Sequence, residues 1–219
     1  MTEQSNRTWF LVCSALAGLS SGLLVSCVNL GPILGDRASL FLPGITFGIG
    51  NALCLRVFLG LRSIWKIAVF IAASASASYL SVLAAFFAHE HLSWRLDAFR
   101  QQTSPVGPET LFAGGFTGAF VILLAALLVV PTRKPIGKTL LAVFGGSLVG
   151  GLLGIAGKTA GAFVDRVQPQ LLHFIWRDGG DDTLLIVLWP AGMSLLLSLM
   201  LWVGREPTPD AVISESKQT

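Results

Sequence analysis

Charge is scarce in this chain. Only 12% of its 219 residues are Asp, Glu, Lys or Arg, against about 25% in ordinary soluble domains. A soluble fold of that composition lacks the polar groups to cover its surface and would aggregate. Cysteine and histidine are also sparse, at three each. Cys13, Cys27 and Cys54 all fall in apolar stretches, with no zinc-type or redox spacing and no further cysteine in a polar segment to bridge to. They read as small packing residues. No acid sits inside an apolar run, so a proton relay or cation-coupled antiporter has no carboxylate to work with. No nucleophile–base pairing or acidic catalytic motif is present. The glycines around Gly150 lie within an apolar span and lack the Lys-Ser/Thr ending of a phosphate loop. The sequence therefore offers no catalytic residue, no cofactor and no metal set. The net charge of +3 is small, and the basic residues flank apolar segments, so nothing points to nucleic acid.

What is abundant is apolar sequence: 53% of residues are hydrophobic and the mean hydropathy is positive. A bilayer-spanning helix needs about 20 mainly apolar residues. Stretches of that kind run over residues 9–29, 40–59, 64–88, 110–130, 139–157 (continuing toward 164) and 183–203. The expected fold is an all-α integral membrane protein of about six transmembrane helices. Residues 1–204 form one transmembrane domain, and residues 205–219 a polar cytoplasmic tail expected to be disordered.

Lys and Arg in the flanks orient such a protein. Nine of the 15 basic residues fall on the side of the termini and of the second and fourth connections, and eight of the 12 acids fall on the other. This gives an N-in, C-in topology in the cell inner membrane. The three outer connections are the longer ones, and long loops carry function more often than short ones. Two outer segments, 91–100 with Trp94 and 168–176 with Trp176, mix apolar and charged positions as interfacial helices do. Arg56, near the end of its helix, reads as a positive-inside anchor, with a phosphate or lipid headgroup contact as the alternative. Lys158 and Asp165 read as the outer boundary of the fifth helix.

Small residues recur at intervals of four. Gly18 and Gly22, Gly44 and Gly48, Gly114 and Gly118, and Gly146, Gly150 and Gly154 each share a helix face, as do Ala73, Ala77, Ser81 and Ala85. In lipid such faces let backbones approach closely. They predict a tight central contact among the odd-numbered helices, in a chain of three related helical hairpins. Leu123 is expected on a lipid-facing surface. Pro43 and Pro190 fall a few residues inside their helices and are expected to kink them; such breaks occur at transporter substrate sites.

Uncharged polar residues are the remaining candidates for binding: Asn51, Ser76 and Tyr79 within the spans, with Trp94 and Trp176 in the outer loops. His89 and His91, two apart, could share a metal ion only if the chain is non-helical there. Leu24-Val25-Ser26-Cys27 resembles a bacterial lipoprotein cleavage site, against the reading that the first helix is retained. Helix count and loop asymmetry are similar to those of the vitamin-binding membrane subunits of some uptake transporters, without a shared motif. The expected function is that of a small transporter-like or permeation protein with an outward-facing cavity for a small, largely neutral solute. The alternative is a non-catalytic scaffold or assembly subunit, packing on the transmembrane helices of a partner membrane protein or of another copy. A lipid-active enzyme is the third reading. The lipid bilayer is the expected surrounding in every case.

Overall fold

The computed structural model describes residues 3–27, 40–97, 107–130, 135–167 and 182–203. Six helices account for nearly all of them: α1 (Glu3–Cys27), α2 (Leu42–Leu59), α3 (Ile64–Asp97), α4 (Pro108–Val129), α5 (Ile136–Val167) and α6 (Asp182–Val203). All six are long and apolar enough to cross a membrane. The loop over residues 30–39, the segment 168–176 with Trp176, and the tail 205–219 lie outside the described residues.

Two helices exceed their expected bounds. α3 runs for 34 residues and α5 for 32, roughly 50 Å each at 1.5 Å per residue. The segment from His91 to Asp97, expected as a separate interfacial helix, is the continuation of α3. Lys158 therefore lies within α5, nine residues before its end, and not at its boundary.

The helices form a closed up-and-down ring. Each packs on its neighbours in sequence, and α1 closes on α6; across the ring only α4 and α6 make a further substantial contact. The predicted central contact among odd-numbered helices does not form. The small-residue faces serve neighbour-to-neighbour seams instead, because each small face meets an adjacent antiparallel helix. The three expected hairpin pairs, α1–α2, α3–α4 and α5–α6, each pack together, but the most extensive partner of α1 is α6 and that of α5 is α4, so the hairpins are joined into one ring.

Glycine sets the seams. On α1, a Cβ at Gly18 would strike the carbonyl oxygen of Pro190, and one at Gly22 would lie 2.6 Å from that of Ile186. On α2, Gly44 abuts the Ser74 carbonyl and Gly48 lies against Ile71 of α3. On α4, Gly114 and Gly118 turn toward Ser81 of α3. The α4–α5 seam is a register of fours: Gly154 meets Leu111, Gly150 meets Gly115 and Ala119, and Gly146 meets Leu123. Leu123 is thus fully buried, not lipid-facing. Its helix has two small faces, one for α3 and one for α5, which turn it inward.

The two prolines differ. α2 begins at Leu42, not Leu40, which places Pro43 in its first turn, where no backbone donor is lost. Pro43 therefore does not kink the helix. Pro190 is inside α6 and removes the intrahelical donor for the carbonyl of Ile186, the group against which Gly22 of α1 is packed. The tight turn between α2 and α3 depends on Gly60, in the left-handed region at φ 67°, which lets the Leu61 amide donate back to the Leu55 carbonyl at 3.3 Å.

The end of the ring where α1 begins and α6 ends is filled. Phe10 packs at a tilt against Phe58, with ring centroids 5.5 Å apart, and against Trp202 at 6.2 Å, in one core with Leu55, Phe70, Val129 and Leu201. At mid-depth Asn51 crosses from α2 to α6, where its Nδ2 donates to Ser194 Oγ at 2.9 Å. The outer wall is apolar: Val57, Trp65, Leu128 and Leu141 are all more than 70% exposed. Such a surface is compatible with lipid and unsuited to water.

Candidate functional site

Among the described residues, the other end of the ring is hollow. Where α1 ends and α2 begins, the helices enclose a cavity of about 720 Å³, within the range of drug-sized ligand sites. α3 supplies its longest wall, from Ser74 to His89, and α4 faces it from Thr110 to Ile122, an axial depth of roughly 18 Å on α4. Pro43, Gly44 and Phe47 of α2, Val25 of α1, Gly154 of α5 and Leu185, Ile186, Trp189 and Pro190 of α6 complete it.

The helix phase of α3 determines which serines face inward. Ser74, Ser78 and Ser81 lie on the face shared with Val82, Ala85 and His89. Each hydroxyl is already committed as a donor. Ser74 donates to Phe70 O at 2.9 Å, Ser81 to Ala77 O at 2.7 Å, and Ser78 to Leu40 O at the entry to α2 at 2.7 Å. Trp189 of α6 lies over Gly118, with its ring 3.2 Å from where a Cβ would be, and donates its indole N–H to Gly150 O of α5 at 3.1 Å. A side chain at Gly118 would displace that ring. No Asp, Glu, Lys or Arg is among the described residues of the wall. Among its described residues the chamber is mainly apolar, with its serine and indole donors spent, and it is suited to an uncharged, mainly apolar occupant.

The residues expected to bind solute lie elsewhere. Asn51 is buried below the chamber, with Nδ2 donating both to Ser194 and to Phe47 O at 3.1 Å; it ties helices together. Ser76 is on the outside of the ring, two residues out of phase with the inner face, and donates to Ala72 O. Tyr79 is half-buried and stacks on Phe41 at 5.0 Å, beside the start of α2, without lining the chamber. Trp94 lies on the extension of α3, with its side chain outside the described residues, as is the whole of Trp176. Among the lining residues that sequence reasoning did not single out are Ser74, Val82, Phe86, Thr110 and Trp189. The phase of the Ala73, Ala77, Ser81 and Ala85 stripe is the signal that separates Ser74 and Ser78 from Ser76.

His89 and His91 stand on a continuous helix, so their rings diverge. His91 stacks on Phe87 at 4.1 Å and its Nδ1 lies 3.0 Å from Phe87 O. Among the described residues no three His, Cys, Asp or Glu gather to hold a metal ion. Arg56 is exposed in the last turn of α2, where it complements the helix dipole. A smaller pocket of about 240 Å³ lies at the α2–α3 turn, lined by Arg62, Ser63 and Lys66. The chain matches no protein-family model, no curated protein and no solved structure.

Proposed function

We propose that this chain is a multi-pass inner-membrane protein that admits a small, largely neutral solute into a cavity open to the outside. The observation that carries the reading is the chamber of about 720 Å³, charge-free in its described wall, with its serine and indole donors already spent. Its side of the membrane comes from the basic residues. The connection between α2 and α3, at the packed end, holds Arg62, the first turn of α3 adds Lys66, and neither holds an acid, so on this reading the packed end is cytoplasmic and the hollow end faces out.

Binding of a fluorescent hydrocarbon, 1-butylpyrene, to the protein in lipid nanodiscs tests this. Saturable binding above that of empty discs is expected for the wild type. Val82→Phe, which fills the chamber from α3, is expected to abolish it without altering the melting curve. Non-saturable partitioning identical to empty discs removes the reading.

One feature favours the scaffold alternative. Ala68, Ala72 and Ser76 make a strip of small residues, four apart, on the exposed face of α3, the pattern that brings two membrane helices together. Cross-linking between copies or to a partner through a cysteine at Ala72, with no solute binding, would give that reading priority.

A further inference from the structure

The polar groups of the chamber separate into two kinds. The hydroxyls of Ser74, Ser78 and Ser81 and the Trp189 indole have acceptors on backbone carbonyls. Thr110 does not. It is 7% exposed, it lines the chamber, and its Oγ1 is buried with no hydrogen-bond partner among the described residues. Its position in α4 explains this. A serine or threonine inside a helix turns its hydroxyl back to the carbonyl three or four residues earlier, as Ser74 and Ser81 do. Thr110 is the third residue of α4, so no full helical turn precedes it. The carbonyl of Gly107, three residues back, already accepts from the Thr110 and Leu111 amides at 3.1 and 3.3 Å. A buried hydroxyl without a partner is rare in native proteins and calls for an explanation.

We infer that Thr110 is the polar anchor of the site, its Oγ1, shielded from the chamber as the side chain stands, turning about Cα–Cβ to meet the ligand, and that the ligand is a neutral amphiphile with one hydroxyl or carbonyl group. This rests on the cavity reading above and adds to it the ligand's polar group and where that group sits. A threonine hydroxyl both donates and accepts, so either group satisfies it. The apolar body of the ligand lies along α3, past Val82 and Ala85, toward Trp189. A carboxylate or ammonium finds no Asp, Glu, Lys or Arg in the described wall, where His89 is the titratable side chain, and burial there disfavours it through desolvation. A neutral membrane lipid and a free amphiphilic solute share this chemistry.

The test pairs two probes, 1-pyrenebutanol and 1-butylpyrene, which differ by a terminal hydroxyl group, titrated into the protein in nanodiscs. Wild type is expected to bind the alcohol about three- to tenfold tighter than the hydrocarbon, the range for one hydrogen bond made in an apolar site. Thr110→Val keeps the shape and removes the hydroxyl. It is expected to bind both probes equally, with unchanged affinity for the hydrocarbon. Thr110→Ser restores the preference. Saturable binding of both probes with no preference for the alcohol, or a preference that survives Thr110→Val, overturns the anchor and leaves the cavity reading standing. Saturable binding of neither probe overturns both. The wild-type comparison uses no variant, so it stands even where Thr110→Val fails to fold. Dioleoylglycerol in the discs displaces the alcohol where a membrane lipid is the natural occupant; a free solute is the source where it does not.

Discussion

Gly150 sits in the close α4–α5 seam. A Cβ added there would collide with the Ala119 Cβ, lie 3.0 Å from the carbonyl oxygen of Gly115 and 3.3 Å from the Met193 sulfur. The Met193 end could swing away. The Gly115 carbonyl is backbone and cannot yield without moving α4. A leucine side chain at Gly150 must therefore separate the two helices. Overpacking typically costs about 1–3 kcal/mol, and separation also strains the bond from Trp189 Nε1 to Gly150 O, worth about 1 kcal/mol. The sum, about 2–4 kcal/mol, lowers the melting midpoint of a protein of this size by roughly 4–16 °C. The matched control is on the same helix. Gly145 is exposed and a Cβ there meets nothing within 4 Å, so Gly145→Leu is expected to leave the midpoint within experimental scatter. Thermal unfolding of the two variants in one detergent, followed by circular dichroism, decides. Equal midpoints for Gly150→Leu and Gly145→Leu would refute the close α4–α5 approach and the ring built on it.

Ser194→Ala strips one acceptor from the buried Asn51 amide and is expected to cost about 1–3 kcal/mol in the same melt; adding Asn51→Leu should recover most of that, whereas additive losses would show that the bond carries no coupling. In intact cells a cysteine at Lys134 is expected to be shielded from a membrane-impermeant thiol reagent while one at Gln101 reacts, and labelling at Lys134 from outside would reverse the topology. The intact mass of the purified chain is expected to include residues 1–26, because α1 supplies the Gly18 and Gly22 seam to α6; a lipidated chain beginning at Cys27 would remove that seam.

Element type was legible because lipid imposes a long apolar run on every span, and each of the six runs became a helix. Element ends were less so. Nothing in the residues from His89 to Asp97 breaks a helix, and α3 simply continues, which placed His89 and His91 on diverging faces. The start of α2 at Leu42 turned Pro43 from an internal break into a first-turn residue. Small faces at intervals of four were readable, but period alone does not name the partner helix. In a ring each face goes to a neighbour, and α4 needs two, which buried Leu123. The chamber was harder still. It is a space left between helices, and its lining depends on helix phase and on ring order. Polarity drew attention to Asn51 and Ser76, yet a buried amide in lipid seeks another helix, and a serine can satisfy itself on its own backbone while facing outward. Thr110 stands out only when every hydrogen bond around it has been placed.

The account depends most on the hollow end being a true binding chamber, and photolabelling reads that directly. A small uncharged alkyl diazirine, photolysed with the protein in nanodiscs, is expected to give adducts on Val82, Ala85 and Leu185 that disappear when unlabelled 1-pyrenebutanol is present in excess. Adducts on Leu128 and Leu141, on the exposed face of the ring, are expected to be unaffected by that competitor. Adducts confined to exposed positions, with no competable label on the chamber wall, would contradict the account.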